Sequence, residues 1–302
     1  MTLYEILEDI KTPRKKKVVL DTDAFNEIDD QYVIAYCAKT ETMELLAVHA
    51  APFMHANCSS MELGMNQSYD EIVKVLSLVD ENHNTPIMKG STTTIDATGT
   101  YVESEAADNL IRIARESDEI IYVLTIGTST NVTSAIMKAP DIKEKICVVW
   151  LACAQTHVWN DPVEFNLHQD YNAGRILLNS GTPLVIVPAS WVTSKLRSDI
   201  NNTLRLRGHN AVADYLCDIT ENAYNMVGRP EGWARTIWDI GAIAVMDMPD
   251  SVQYDIIPAP VLTDSRVYAF DSTRHNIIMI NNIDRDPVME KVWSIITDCP
   301  NP

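Results

Sequence analysis

Short runs of β-branched and aliphatic residues recur along the chain, separated by stretches of helical spacing. The runs Lys17–Asp21, Leu45–Ala50, Pro86–Lys89, Ile120–Ile126, Ile146–Cys153 and Leu184–Val187 are nearly continuous in apolar residues. Strands covered on both faces have that character, as in a parallel sheet between helix layers. Between them, Asp30–Ala38 aligns Val33, Ile34 and Cys37 on one stripe, and Ser104–Ser117 repeats Ala107, Leu110, Ile111 and Ala114. A further helix is expected from Asp170, with Ala173, Ile176 and Leu177 inward and Gly181 just past its end. Alternation of this kind predicts an α/β fold with a mostly parallel central sheet flanked by helices. From Lys195 to Gly228 the pattern turns helical, a helical elaboration of the fold, and Val267–Phe270 with Asn276–Ile280 reads as a late hairpin. No linker or repeat divides the 302 residues, so a single domain over residues 1–302 is expected.

Composition narrows the function. The net charge of −18 argues against a nucleic-acid partner and against docking on anionic membranes. No apolar run reaches the roughly 20 residues that span a bilayer. The start of the chain lacks a secretory apolar core, and Arg14–Lys17 reads as a solvated lead-in to the first strand. The six cysteines show no paired metal or redox spacing. They are expected to be free thiols in a reducing, cytoplasmic setting.

The chemistry concentrates where the first strand ends, in VVLDTDAFNEIDDQY. Asp21, Asp23, Glu27, Asp29 and Asp30 fall within ten residues with no base among them. Helix capping accounts for Asp29 or Asp30 but not the others. Carboxylates this dense repel unless a cation or protons intervene, and hard oxygen donors suit Ca²⁺ or Mg²⁺. An EF-hand fails, because its sixth and twelfth positions from Asp21 hold Asn26 and Tyr32. No glycine-rich phosphate loop follows any strand. An Asp-x-Asp phosphatase with Asp21 as nucleophile stays open as an alternative.

The ordered motifs point further. DTD…DD resembles the N-terminal signature of the inosine–uridine nucleoside hydrolase family. LTIGTSTNVTSAI (Leu124–Ile136), the stretch Trp159–Pro188 and TIWDIGAIAVM (Thr236–Met246) are similar to three later segments of that family, in the same order. The likeness covers roughly residues 17 to 250. It implies a nucleoside hydrolase-like, Rossmann-like sheet. It implies Ca²⁺ held by Asp23, Asp30, the Thr130 carbonyl and Asp239, with Asp23 as general base and Asp21 supporting the ligands from behind. Asp29, Asn160, Glu164 and Asn166 would hold ribose, and Trp238 would touch substrate. The implied reaction is hydrolysis of a ribonucleoside or related N-riboside to base and ribose, in a homo-oligomer (dimer or tetramer) serving purine or pyrimidine salvage. A sugar-binding module without turnover is the other reading.

Four departures from the family are visible. The Asp23–Asp29 segment is two residues longer, which brings Asn26 or Glu27 toward the site. The family's AGN is HAAPF (His49–Phe53), Asn160 lies two residues closer to Glu164, and Trp238 stands where many members carry a histidine.

Overall fold

The computed structural model describes residues 1–299. Its twelve strands, in chain order, are β1 (Lys16–Thr22), β2 (Met43–Ala50), β3 (Ile87–Lys89), β4 (Ile121–Thr125), β5 (Ile146–Leu151), β6 (Leu184–Val187), β7 (Arg197–Asp199), β8 (Ala234–Thr236), β9 (Val252–Pro258), β10 (Val261–Leu262), β11 (Tyr268–Ala269) and β12 (Asn276–Ile283). Eight of them form one sheet in the order β3-β2-β1-β4-β5-β6-β12-β9. All its pairings are parallel except β12 with β9. The fold is therefore α/β, mostly parallel, with helices on both faces.

The apolar runs explain this arrangement. Every residue of β4, β5 and β6 is buried. Alternate side chains feed two cores, with Val18 and Leu20 packing on one face of β1 and Val19 on the other. The helices Asp30–Lys39, Glu105–Glu116 and Tyr171–Asn179 fall where their spacing places them. Ser104 and Asp170 each cap their helix through the side chain, and Gly181 takes a φ of +76° just beyond the third. No helix of the described residues is long and apolar enough to cross a membrane.

Several expectations are corrected. Val267–Phe270 does not form a hairpin with Asn276–Ile280, because β11 pairs with β10 while β12 enters the main sheet between β6 and β9. The helical region after Lys195 contains β7, which pairs antiparallel with β8. Lys16 is no solvated residue; it is buried at the start of β1, its Nζ donating to the carbonyls of Thr12 and Arg14 at 2.6 and 2.8 Å.

Sequence order along the sheet reverses between β1 and β4, since β2 and β3 lie on one side and β5 and β6 on the other. Crevices open beyond the carboxyl ends of strands at such a reversal. The acidic cluster follows β1 at this point.

Candidate active site

A cavity of about 260 Å³ lies at the carboxyl ends of β1, β4, β5 and β6. Asp23 follows β1, Ile126 follows β4, Leu151 ends β5, and Ala189 and Ser190 follow β6. The loop Asn26–Asp30, the segment Glu164–Asn166 and the pair Trp238–Asp239 close the remaining sides. Seven of the ten expected site residues meet here: Asp23, Asp29, Asp30, Glu164, Asn166, Trp238 and Asp239.

The carboxylates are buried yet poorly partnered. Asp23, Asp29, Asp30 and Asp239 are each at most 4% exposed. One oxygen each of Asp29, Asp30 and Asp239 lies within 4.8 Å of the others. Asp29 and Asp239 stand immediately before the helices Asp30–Lys39 and Ile240–Asp247, where an acid usually caps. Neither side chain makes a capping bond. Asp29 instead accepts the Trp238 backbone N–H at 3.0 Å, and Asp30 accepts the Thr22 hydroxyl. Asp23 Oδ2 is buried with no hydrogen-bond partner.

Burial, then mutual repulsion, sets the acidity of these groups. Asp23 and Asp239 are raised well above the ordinary carboxylate range, first by loss of water and then by neighbouring acids of the cluster. Asp29 is raised by burial, then by Glu27 and Asp30. Asp30 reaches only about 6, because the Thr22 hydroxyl donates to it. A divalent cation between the Asp29, Asp30 and Asp239 oxygens would offset the repulsion, and the unpartnered Asp23 oxygen is a further donor in the same wall. The donor set is all carboxylate oxygen, the chemistry of Ca²⁺ or Mg²⁺ rather than zinc.

Around the acids, the framework is tightly bonded. Glu164 caps the helix Phe165–Gln169; its Oε1 accepts the N–H groups of Cys153 and Leu167 at 3.0 and 2.8 Å, and its Oε2 that of Asn166 at 2.9 Å. Burial still pushes it up to about 7, against those three donors. Asn166 donates from Nδ2 to the carbonyls of Ile126 and Leu151, both at 2.9 Å, clamping the ends of β4 and β5. Its amide oxygen is then what it can offer the cavity. Gly127 admits Asp23 closely: a methyl there would lie 3.0 Å from the Asp23 carboxyl carbon.

Three expected residues lie outside the cavity wall. Asp21 is buried within β1, one oxygen accepting from Asn131 Nδ2 at 3.3 Å and the other unpartnered, and burial pushes it up to about 8. That position removes the access a phosphatase nucleophile needs. Thr130 opens the helix Thr130–Lys138, its hydroxyl donating to Asp170 Oδ2 at 2.8 Å. Asn160 is exposed in a turn.

Sequence reasoning passed over Ile126, Leu151, Phe165, Ala189 and Ser190, which also line the cavity. Position at the end of a predicted strand was the available signal for the first two. The longer loop does bring both Asn26 and Glu27 into the wall, where Glu27 pairs with Arg235. His157 and His168 are exposed and take no part in it.

Comparison with known proteins agrees with this picture. The model of a family described as inosine-uridine preferring nucleoside hydrolase matches residues 18–290. The chain is 29% identical over 104 residues to the pyrimidine-specific ribonucleoside hydrolase RihA of Escherichia coli O1:K1 / APEC, covering 34% of this chain and 33% of that protein. It is 32% identical over 108 residues to an uncharacterized protein of Schizosaccharomyces pombe, 34% of each. These matches span about a third of the relatives' length. Among solved structures, the plant nucleoside hydrolase PpNRh1 superposes with a TM-score of 0.75 at 18% identity, covering 95% of this chain and 99% of that one. A purine-preferring ribonucleoside hydrolase from Gardnerella vaginalis gives 0.73 at 20% identity, covering 94% and 98%. The structural likeness is one of fold.

Proposed function

Because the chain belongs to the inosine-uridine preferring nucleoside hydrolase family, we propose that it hydrolyses the N-glycosidic bond of a ribonucleoside or related N-riboside, in a Ca²⁺-dependent reaction. One observation carries the reading. Buried carboxylates converge at the strand-end crevice, and Asp29 and Asp239 stand at helix starts without capping them.

Asp30 and Asp239, whose oxygens lie together with one of Asp29, would hold Ca²⁺ along with Asp23. When bound, the ion would supply Lewis acidity that makes a nearby water a better nucleophile. Asp23 takes the proton of the attacking water as general base. As the bond to the base breaks, positive charge develops on the sugar ring. The surrounding carboxylates stabilise that charge where it forms. Asp29 and the amide oxygen of Asn166 accept ribose hydroxyls. Glu164, whose oxygens already receive three backbone donors, positions the Asn166 segment and adds to the negative field. Water arriving opposite the base inverts the anomeric carbon. Asp21 sets the strand end through Asn131, which also bonds Ser91 N–H at 2.8 Å.

The test is incubation with purine and pyrimidine ribonucleosides, in Ca²⁺ or chelator, with free base measured by chromatography. Base release that requires the ion supports hydrolysis. Ribose binding with no release from any substrate would instead identify a sugar-binding module.

A further inference from the structure

Apart from its carboxyls, the cavity wall lacks a group that could protonate a departing base. Among the described residues it contains no His, Lys, Tyr or Cys. Trp238 carries an indole N–H that is not acidic, and Ser190 and Asn26 are not acids near neutral pH. Glu164 accepts three backbone N–H groups, which favour its anion and hold both oxygens against the backbone. Six carboxylates line the cavity and no basic residue does. The nearby Arg235 is engaged by Glu27. Two aromatic rings, Phe165 and Trp238, stand in the same wall.

These features select against a neutral base, which must gain a proton to leave easily, and toward one that already carries positive charge. Resting on the hydrolase reading above, we infer that the preferred substrates are N-ribosides with a cationic leaving base, such as N-ribosylpyridinium compounds or N7-alkylated purine ribosides. The carboxylates attract the cation, and the aromatic faces of Phe165 and Trp238 receive its ring. The chemistry balances without a proton donor. The bond between C1′ and the ring nitrogen breaks, and its electron pair neutralises the ring. The oxygen of water bonds to C1′, and the proton it loses passes to Asp23 and on to solvent. The products are ribose, a neutral base and a proton.

The experiment uses the full chain loaded with Ca²⁺ and four substrates: 7-methylguanosine, guanosine, the N-riboside of pyridinium-3-carboxamide, and inosine. General acids contribute about 10²- to 10⁴-fold, so kcat/KM for 7-methylguanosine should exceed that for guanosine by at least about 10²-fold. The pyridinium riboside should exceed inosine similarly. Glu27→Gln should raise KM for 7-methylguanosine about tenfold and KM for guanosine less, because it removes one attracting charge. Guanosine turned over within about tenfold of its methylated partner would overturn the inference while leaving the hydrolase reading intact. Equal KM shifts for both in Glu27→Gln would refute charge recognition. No release from any of the four with the ion bound would remove the hydrolase reading and this inference together.

Discussion

Asp239→Asn should make the ion-free protein more stable and leave it with little to gain from Ca²⁺. Oxygens of Asp29, Asp30 and Asp239 lie within 4.8 Å of one another. At that distance two unit charges repel by roughly 3.5 kcal/mol at an effective dielectric near 20. Three such pairs total about 10 kcal/mol, comparable with the roughly 5–15 kcal/mol that holds a protein folded. Without a cation the cluster must therefore take up protons. Keeping one on a carboxyl of ordinary pKa at pH 8 costs about 5–6 kcal/mol. Removing the Asp239 charge eliminates two of the three pairs. The variant should gain about 1–5 kcal/mol in chelator, the lower figure applying where protons already relieve the repulsion. At roughly 2 °C per kcal/mol for a chain this long, Tm rises by about 2–10 °C. Saturating Ca²⁺ at a hundred times Kd adds about 2.7 kcal/mol to the native protein. The variant, short of a ligand, should gain little. Thermal unfolding of both proteins, in chelator and in Ca²⁺, reads all four values. A variant no more stable than the native chain in chelator, or equally stabilised by Ca²⁺, would refute the electrostatic reasoning.

Other substitutions separate catalysis from stability. Asp23→Asn should lower kcat by at least about 10³-fold with circular dichroism unchanged, since it removes the general base and weakens a ligand. Gly127→Ala forces the Asp23 carboxylate aside by tenths of an ångström; kcat should fall about 10- to 100-fold, with Tm nearly kept. Glu164→Ala leaves three buried backbone N–H groups without an acceptor, so urea unfolding should show a loss of about 2–4 kcal/mol along with activity. His49 is buried against Asn109, and burial lowers its pKa from 6.5 to about 4. The unfolded chain binds that proton first, so this contribution is complete above pH 6.5 and is lost as pH falls toward 4. It amounts to about 3 kcal/mol. Urea unfolding of the native chain and His49→Gln at pH 7 and pH 4.5 should show the native chain losing more.

The central strands were legible because burial on both faces leaves near-continuous apolar runs, as in VVL of β1 and ICVVWL of β5. The edge strand β9 was not. It alternates exposed and half-buried residues, VQYDIIP, and a single antiparallel partner holds it. The first helix, Leu3–Lys11, was not expected, although it carries a capping box of Thr2 and Glu5. At the site, Asp23, Glu27, Asp29 and Asp30 could be placed together because they follow β1 within a few residues, whereas Glu164 and Asp239 came from the family resemblance. What the sequence does not carry is which of them caps a helix. Asp170 and Glu164 do, whereas Asp29 and Asp239 do not, and that distinction depends on side-chain direction. Thr130 likewise meets Asp170 across forty residues, a pairing set by helix packing.

The most direct measurement titrates Ca²⁺ into the chelated protein, following heat of binding and release of free base from a ribonucleoside in parallel. The expected result is base release that rises with occupancy and saturates at one ion per chain, and that is absent from Asp23→Asn. Full release in chelator, or a bound ion with no release from any N-riboside, would contradict the assignment of the acidic crevice as a cation-dependent hydrolytic site.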